Sequence, residues 1–445
     1  MRWLLRLIVL LALAGCAPLT PSPAPPSGTT IYHVAPDGDD ANPGTEAAPW
    51  ATIQHAAEHL RPGETVYVHG GLYAEAVEIT RSGSAEAGPI TFAAYPGEQP
   101  ILDGGDFADD PDGANGFYLE DVSHIVIRGF EIRNYTTARR GAVPIGIQIT
   151  GAAHHISLVG NHIHHIETHA PVDADLLGAD AHGIAVYGTA SEPIHDILIA
   201  DNEVDHLVLG SSEAVVLNGN VRAFTVTGNL IHDCDNIALD FTGFEGIAPD
   251  AAQDRARDGL VGGNRIYAID SRPNPAYGGE RSADGIYVDG GTRIIIERNE
   301  VYDANIGIEL ASEHGGRDTS SVIVRSNFIH HNHVAGLAMG GYDERRGATI
   351  GCSVVNNTFY HNDTEAAGNG ELWIQFDTRD NLIVNNIFWA GEQSLLIGNP
   401  FAENDGNTVD ANLYFAPAGA SGSRWMWRGM TYTGFDAYRR ATGND

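Results

Sequence analysis

Asn299-Glu-Val-Tyr-Asp-Ala-Asn-Ile-Gly-Ile-Glu-Leu-Ala311 and Asn327-Phe-Ile-His-His-Asn-His-Val-Ala-Gly-Leu-Ala-Met339 repeat one phrase: Asn, a short alternating strand, a polar turn, then Gly followed by aliphatics at every second place. Its Asn also stands at Asn161, Asn202, Asn229, Asn264, Asn357, Asn386 and Asn412, at intervals of 26 to 41 residues. Alternation with period two means strands, and a repeat of this length built from short strands means a solenoid of stacked β-coils. The parallel crossover rule makes the solenoid right-handed. About ten coils are expected between Ser123 and Phe415. Asn is expected in the left-handed turn conformation, with its amide bonded to the Asn of the next coil. Three residues after each Asn runs a second ladder, His164, Asp205, His232, Tyr267, Tyr302, His330, Tyr360 and Trp389. It reads as structural stacking. The paired histidines, His154-His155 and His330-His331 among them, read as turn residues rather than metal ligands.

Outward from the repeats, the chain divides into five parts. Arg2 and Arg6 lead into an apolar run from Leu7 to Ala14, a signal peptide over 1–15 too short to span a bilayer. Leu13-Ala14-Gly15-Cys16 resembles a bacterial lipobox, which implies lipidation at Cys16 and an exported protein whose only membrane contact is its lipid. The Pro-rich stretch 16–30 is an extended tether. Residues 31–122 form an N-terminal cap and first coils, with Ile53 to Leu60 suited to a short capping helix that shields the edge strands. Residues 123–415 are the repeats, and 416–445 a C-terminal cap. The formal charge is −33 and all 25 basic residues are Arg; such a field excludes nucleic acid as a partner. A monomer is expected. Cys234 and Cys352 fall four rungs apart, roughly 19 Å at ~4.8 Å per rung. A disulfide spans at most about 7 Å between Cα atoms, so both thiols should be free and buried.

Aligning the strand after each turn on its Gly as position zero places aliphatics inward at one and three and other residues outward at two and four. The coils read Gly146-Ile-Gln-Ile-Thr150, Gly183-Ile-Ala-Val-Tyr187, Ala214-Val-Val-Leu-Asn218, Asn236-Ile-Ala-Leu-Asp240, Gly285-Ile-Tyr-Val-Asp289, Gly307-Ile-Glu-Leu-Ala311 and Gly336-Leu-Ala-Met-Gly340. Position minus one then carries His182, Glu213, Asp235 and Asp284. Position four carries Tyr187, Asn218, Asp240 and Asp289, and position two adds Tyr287 and Glu309. Carboxylates stacked one rung apart repel, so their gathering on one face points to a proton, a cation or a chemical role. The insertions 165–181, 242–258 and 270–283 leave the strands beside these acids and are expected to wall a groove.

Tyr32-His-Val-Ala-Pro-Asp-Gly38, Pro62-Gly-Glu-Thr-Val-Tyr-Val68 and Ile101-Leu-Asp-Gly104 resemble the N-terminal module of secreted β-helix enzymes, the calcium-dependent pectate lyases and the β-helical β-xylosidases. The resemblance implies an all-β, pectin-lyase-like, single-stranded right-handed parallel β-helix acting on carbohydrate. Asp284-Gly-Ile-Tyr-Val-Asp-Gly-Gly291, followed by Glu309 and by Glu313-His314-Gly315, resembles the catalytic strands of the β-xylosidases. Carried over, Asp289 is the nucleophile and Glu309 the acid/base, with Glu313 its rival; His182, Tyr187, Asn218, Tyr287 and His314, beside them on the same outer face, are the expected substrate-binding residues. The register puts Asp289 and Glu309 about 8 Å apart at Cα, which suits a retaining pair. Asp284 and Glu309, about 11 Å apart by the same spacings, suit an inverting one. This hydrolase chemistry requires no cofactor. The alternative is β-elimination on a uronic acid, with Ca²⁺ held by Glu213, Asp235, Asp240 and Asp284 and with His182 or Tyr287 standing in for the lysine base that the chain lacks. A third reading is a non-catalytic surface β-helix that binds glycans.

Overall fold

The computed structural model describes residues 30–172 and 178–445. The expected signal peptide, Cys16 and the expected tether up to residue 29 lie outside the described residues. The chain winds into three long sheets of 16, 13 and 12 strands, whose strands pair in parallel with their counterparts one coil before and one coil after, save for an antiparallel hairpin, Arg424–Trp427 with Met430–Thr433, that ends the 13-stranded sheet. The first sheet stacks from Ile31–Val34 to Thr408–Asp410, and ten of its rungs lie between Ser123 and Phe415. Inward aliphatics form one continuous core from Val34 to Tyr438, and Ile286 and Val288 are fully buried as the register requires. Each such side chain contributes roughly 1.5–3 kcal/mol by leaving water, which no single coil could gather alone.

Both ends are closed. The helix Ile53–His59 buries Ile53, Ala56 and Ala57 over the first coil. Its first amides are satisfied by Glu75, which accepts from the backbone N of Ile53 at 3.0 Å and of Gln54 at 2.8 Å. Asp40 accepts from Ala51 N and Thr52 N at 2.8 and 3.0 Å, so this acid holds a turn. At the far end the helix Phe435–Thr442 stacks Tyr438 on the buried Trp425 with ring centres 4.3 Å apart.

The Asn ladder is continuous. Asn264, for example, donates N and Nδ2 to Asn299 Oδ1 at 2.9 and 3.0 Å, donates Nδ2 to Val226 O at 3.0 Å, and accepts from Asn229. The pattern runs from Asn161 to Asn412, whose N donates to Asp445 Oδ1 at 3.0 Å. The expected conformation is corrected, however: the left-handed residue is the one before each ladder Asn, as at Gly160, Asp201, Gly228, Arg298, Asn356 and Ala411. The Asn itself is buried, where a satisfied amide matters more than turn tolerance. At the corner leading to the 13-stranded sheet a second polar ladder runs through Ser271, Asn305, Asn332 and Asn362 and ends on Glu371. Cys234 and Cys352 are free and buried.

The register of the 13-stranded sheet matches the expected one at six coils and differs at the seventh. Val215, Val216 and Leu217 pair with Leu239, Asp240 and Phe241. Position zero of that coil is therefore Ala238, not Asn236, and Asp240 stands at position two. Thr242 takes position four, opposite Asn218, and Ile237 takes position minus one in place of Asp235. The two-residue slip has a packing cause: it turns Phe241 inward, where its ring stacks on Phe224 with centres 5.1 Å apart.

Candidate active site

Position zero is where the strand bends. Gly183 N and Ile184 N both donate to Ala214 O, at 2.9 and 3.0 Å, the signature of a bulge. A Cβ on Gly285 would stand 2.4 Å from Val301 Cγ1, so the bend faces the core and needs glycine. Beyond the bulge the parity changes, and positions minus one, two and four share the outer face.

Three coils thereby surround one tyrosine with acids. Tyr287 pairs with Asp240 on one side and Glu309 on the other, with Asp284 and Asp289 before and after it on its own strand. All four acids are 8% exposed or less. Asp284 and Glu309 lie on adjacent coils, close enough for each to shift the other's carboxyl. Gln375 donates Nε2 to Glu309 Oε1 at 2.8 Å. Asp289 Oδ1 accepts from Glu313 N at 2.7 Å. One oxygen each of Asp240 and Asp284, and Oδ1 of Asn218, are buried with no hydrogen-bond partner.

Burial, first, raises every carboxyl of the cluster. Glu309 rises to about 7, with the Gln375 bond opposing the shift and Glu313 adding to it. Glu213 rises to about 8, through burial and the neighbouring acids. Asp240, Asp284 and Asp289 also lie well above the usual range, with Glu213, Glu309 and Asp240 respectively as the leading charge behind each shift. The Tyr287 hydroxyl is raised as well, by burial and then by Asp289 and Glu309. At the rim Arg346 meets Glu313 at 2.8 Å and His314 meets Glu245 at 3.0 Å.

Several expected partners sit elsewhere. Asp235 is turned away from the acids, with Oδ1 accepting from Leu209 N at 2.7 Å, and it is raised to about 6 by burial; the slip removes it from the proposed ligand set. His182 is lowered to about 4 by burial. Its Nδ1 meets Glu213 O and its Nε2 meets the Tyr187 hydroxyl, both at 2.8 Å. With Nδ1–H donating and Nε2 accepting, neither nitrogen is left to act as a base. Glu313 lies at the rim beside Tyr287, whose hydroxyl is 3.5 Å from Oε1.

The structure also supplies residues that the sequence did not single out. Gln375 stands at position four, two coils beyond Glu309, since Leu372 pairs with Leu337. Tyr277, from the 270–283 insertion, lies close enough to Glu213 and Asp284 for both to raise its hydroxyl. From the 242–258 insertion, Phe244 lies between Arg255 and Arg317, each 4.8 Å from its ring centre. That sandwich stiffens the segment bearing Glu245. Gln375 was discoverable from the continuing alternation; the loop residues had no register to betray them.

These features define a right-handed β-helix with a buried acid cluster on one outer face, and comparison with known proteins agrees on the fold. Family models match over residues 145–350 and 259–423, described as "Right handed beta helix region", and over 32–182, described as "Pel9A-like, right handed beta helix region". The chain belongs to this right-handed β-helix family. It is 42% identical over 419 residues to the uncharacterized protein YwoF of Bacillus subtilis (strain 168), covering 94% of this chain and 87% of that one. Over 74 residues it is 43% identical to pectate lyase PEL9 of Emericella nidulans, 16% of this chain and 18% of the relative. Among solved structures, the GH136 lacto-N-biosidase of Eubacterium ramulus superposes with a TM-score of 0.63 at 14% identity, over 87% of this chain and 68% of that one. An alginate lyase from Paenibacillus sp. gives 0.52 at 14% identity, over 73% and 95%. At these identities the structural likeness is one of fold.

Proposed function

We propose that the protein is an extracytoplasmic glycoside hydrolase, anchored by lipid at Cys16, that cleaves a poly- or oligosaccharide with net retention. One observation carries the reading: Glu309, held near neutrality beside Asp284 and fixed by Gln375, keeps a proton at the pH where a general acid is needed, on the coil next to Asp289. Glu309 protonates the leaving oxygen while Asp289, oriented by the Glu313 amide, attacks the anomeric carbon. The glycosyl–Asp289 ester is then opened by a water that Glu309 deprotonates. Asp284 positions Glu309 and sets its affinity for the proton.

The test is a panel of activated aryl glycosides with Asp289→Ala and Glu309→Ala. Turnover should fall by orders of magnitude in the first, whereas the second should keep much of its first step and be rescued by azide with retained configuration. If Glu313→Ala shows the azide pattern and Glu309→Ala does not, the acid/base is Glu313. Indifference to all three substitutions rejects the hydrolase. A Cys16→Ser chain should leave the membrane fraction.

A Ca²⁺-dependent lyase is the second reading, favoured by the unpartnered oxygens of Asp240 and Asp284, which a cation bound with Glu213 would satisfy. Its base would be Tyr287, whose ionisation the four surrounding acids oppose. Unsaturated uronate product that vanishes with chelator would establish it over the hydrolase.

A further inference from the structure

On the outer face of the 16-stranded sheet, remote from the acid cluster in the coil, three successive strands carry Ser123-His124-Ile125, His154-His155-Ile156 and His195-Asp196-Ile197 at or next to their starts, with Ser123, His154 and His195 in register. His124, His155 and Asp196 each take the left-handed conformation, with φ of 58°, 55° and 55°. Each sends its side chain sideways over its neighbours. The rings of His124 and His155 stack with centres 4.5 Å apart, and those of His154 and His195 at 4.9 Å. One nitrogen each of His124, His154 and His155 lies within 4.8 Å of the other two.

We propose that His124, His154 and His155 form a binding site for a transition-metal ion of the Zn²⁺ class, with Asp196 as the carboxylate that orients His155. Three observations converge on it. Nδ1 of His124 is buried and has no hydrogen-bond partner, a vacancy that a metal–nitrogen bond fills. Nδ1 of His154 and Nδ1 of His155 are 2.9 Å apart, close to the roughly 3.3 Å between two ligands of a tetrahedral ion at ~2.0 Å. The far nitrogen of His155, Nε2, lies 3.8 Å from Asp196 Oδ2, an oxygen that also meets His195 Nδ1 at 2.7 Å, which places a carboxylate beside the outer nitrogen of a ligand. Imidazole nitrogens select Zn²⁺ and its neighbours over Ca²⁺ or Mg²⁺. Solvent supplies the fourth ligand, because His155 is exposed.

The 12-stranded sheet provides a control. His330 and His331 repeat the adjacent-histidine contact, with Nδ1 atoms 2.9 Å apart, but no third histidine completes a converging set with them among the described residues. If the contact alone bound metal, both pairs would bind.

The experiment is titration of Zn²⁺ into the metal-stripped, purified protein, with Co²⁺ as a spectroscopic substitute. One high-affinity ion per chain is expected, with a tetrahedral Co²⁺ absorption band. Asparagine tolerates the left-handed backbone, so His124→Asn and His155→Asn are suitable variants. Each should weaken binding at least tenfold and abolish the band. Asp196→Asn should weaken it by roughly 10–100-fold, and His331→Asn should change nothing. Unaltered binding in His124→Asn, sensitivity to His331→Asn, or no tetrahedral band in the unsubstituted protein would overturn the site.

Discussion

The corner ladder of asparagines and the outer-face cluster of acids are two polar stacks on one repeating frame, and they answer burial in opposite ways. A primary amide carries its own complement: the oxygen of one Asn receives the N–H groups of another, so the ladder is satisfied at every rung. A carboxylate has only acceptors. Stacked at the same spacing it is buried either with its proton affinity raised, as at Glu309, or with an oxygen left unpartnered, as at Asp240 and Asp284. A buried stack that satisfies itself reinforces the fold. One that cannot is retained at a cost, and that cost marks the chemistry.

The contrast can be broken at four places, in descending order of expected effect. Asp289→Ala should reduce turnover by at least about 1,000-fold in a glycosidase assay, while its melting temperature stays near that of the parent, because Asp289 receives a single backbone bond. Asn264→Ala is the converse. It removes the ladder's donors and acceptor together and leaves Asn229 and Asn299 partly unpaired, at a cost of about 3 kcal/mol in denaturant unfolding, with activity per folded molecule preserved.

The third test concerns pH. Glu309 works protonated, so kcat should fall as pH rises through about 7. Gln375→Leu removes a hydrogen bond that favours the charged form, so the falling limb should move to higher pH. A limb that stays in place would detach Gln375 from the acid. The fourth is the smallest. Asp240 has a raised folded pKa, so the folded chain keeps a proton that the unfolded chain releases, and stability falls as pH rises above the unfolded value near 4. Asp240→Asn does not titrate. It should therefore stabilise the fold at pH 8 by on the order of 1 kcal/mol and have little effect at pH 4.

Much of this architecture is legible in the sequence, for a physical reason. Asn and Gly are required at fixed places in each coil, and their spacing reports the coil directly. Six of seven strands of the site sheet could be placed from that spacing alone. The coil at Asn236 could not. Asn236-Ile237-Ala238 imitates a strand start, but it is the same phrase as Asn305-Ile306-Gly307, with Asn two places before zero. The deciding contact is Phe241 on Phe224, a long-range packing preference with no local signature. Asp240 was therefore found on the right face at the wrong position, and Asp235 was credited with a place that it does not occupy. Tyr277 and Glu245 arrive on insertions whose course no periodicity governs.

The ladder also determines how a protein of this kind can change over evolutionary time. Each Asn meets its neighbours through the same bonds whatever the coil number, and the last donors close on Asp445. A duplicated coil inserted between two existing ones inherits a complete set of partners. Outside the stretch from His182 to Gln375 the solenoid can therefore lengthen or shorten in whole turns without a new core having to be invented. Within that stretch the coils are not interchangeable, because each supplies a different group to one place, and gain or loss of a turn there would separate Glu309 from the acids it faces.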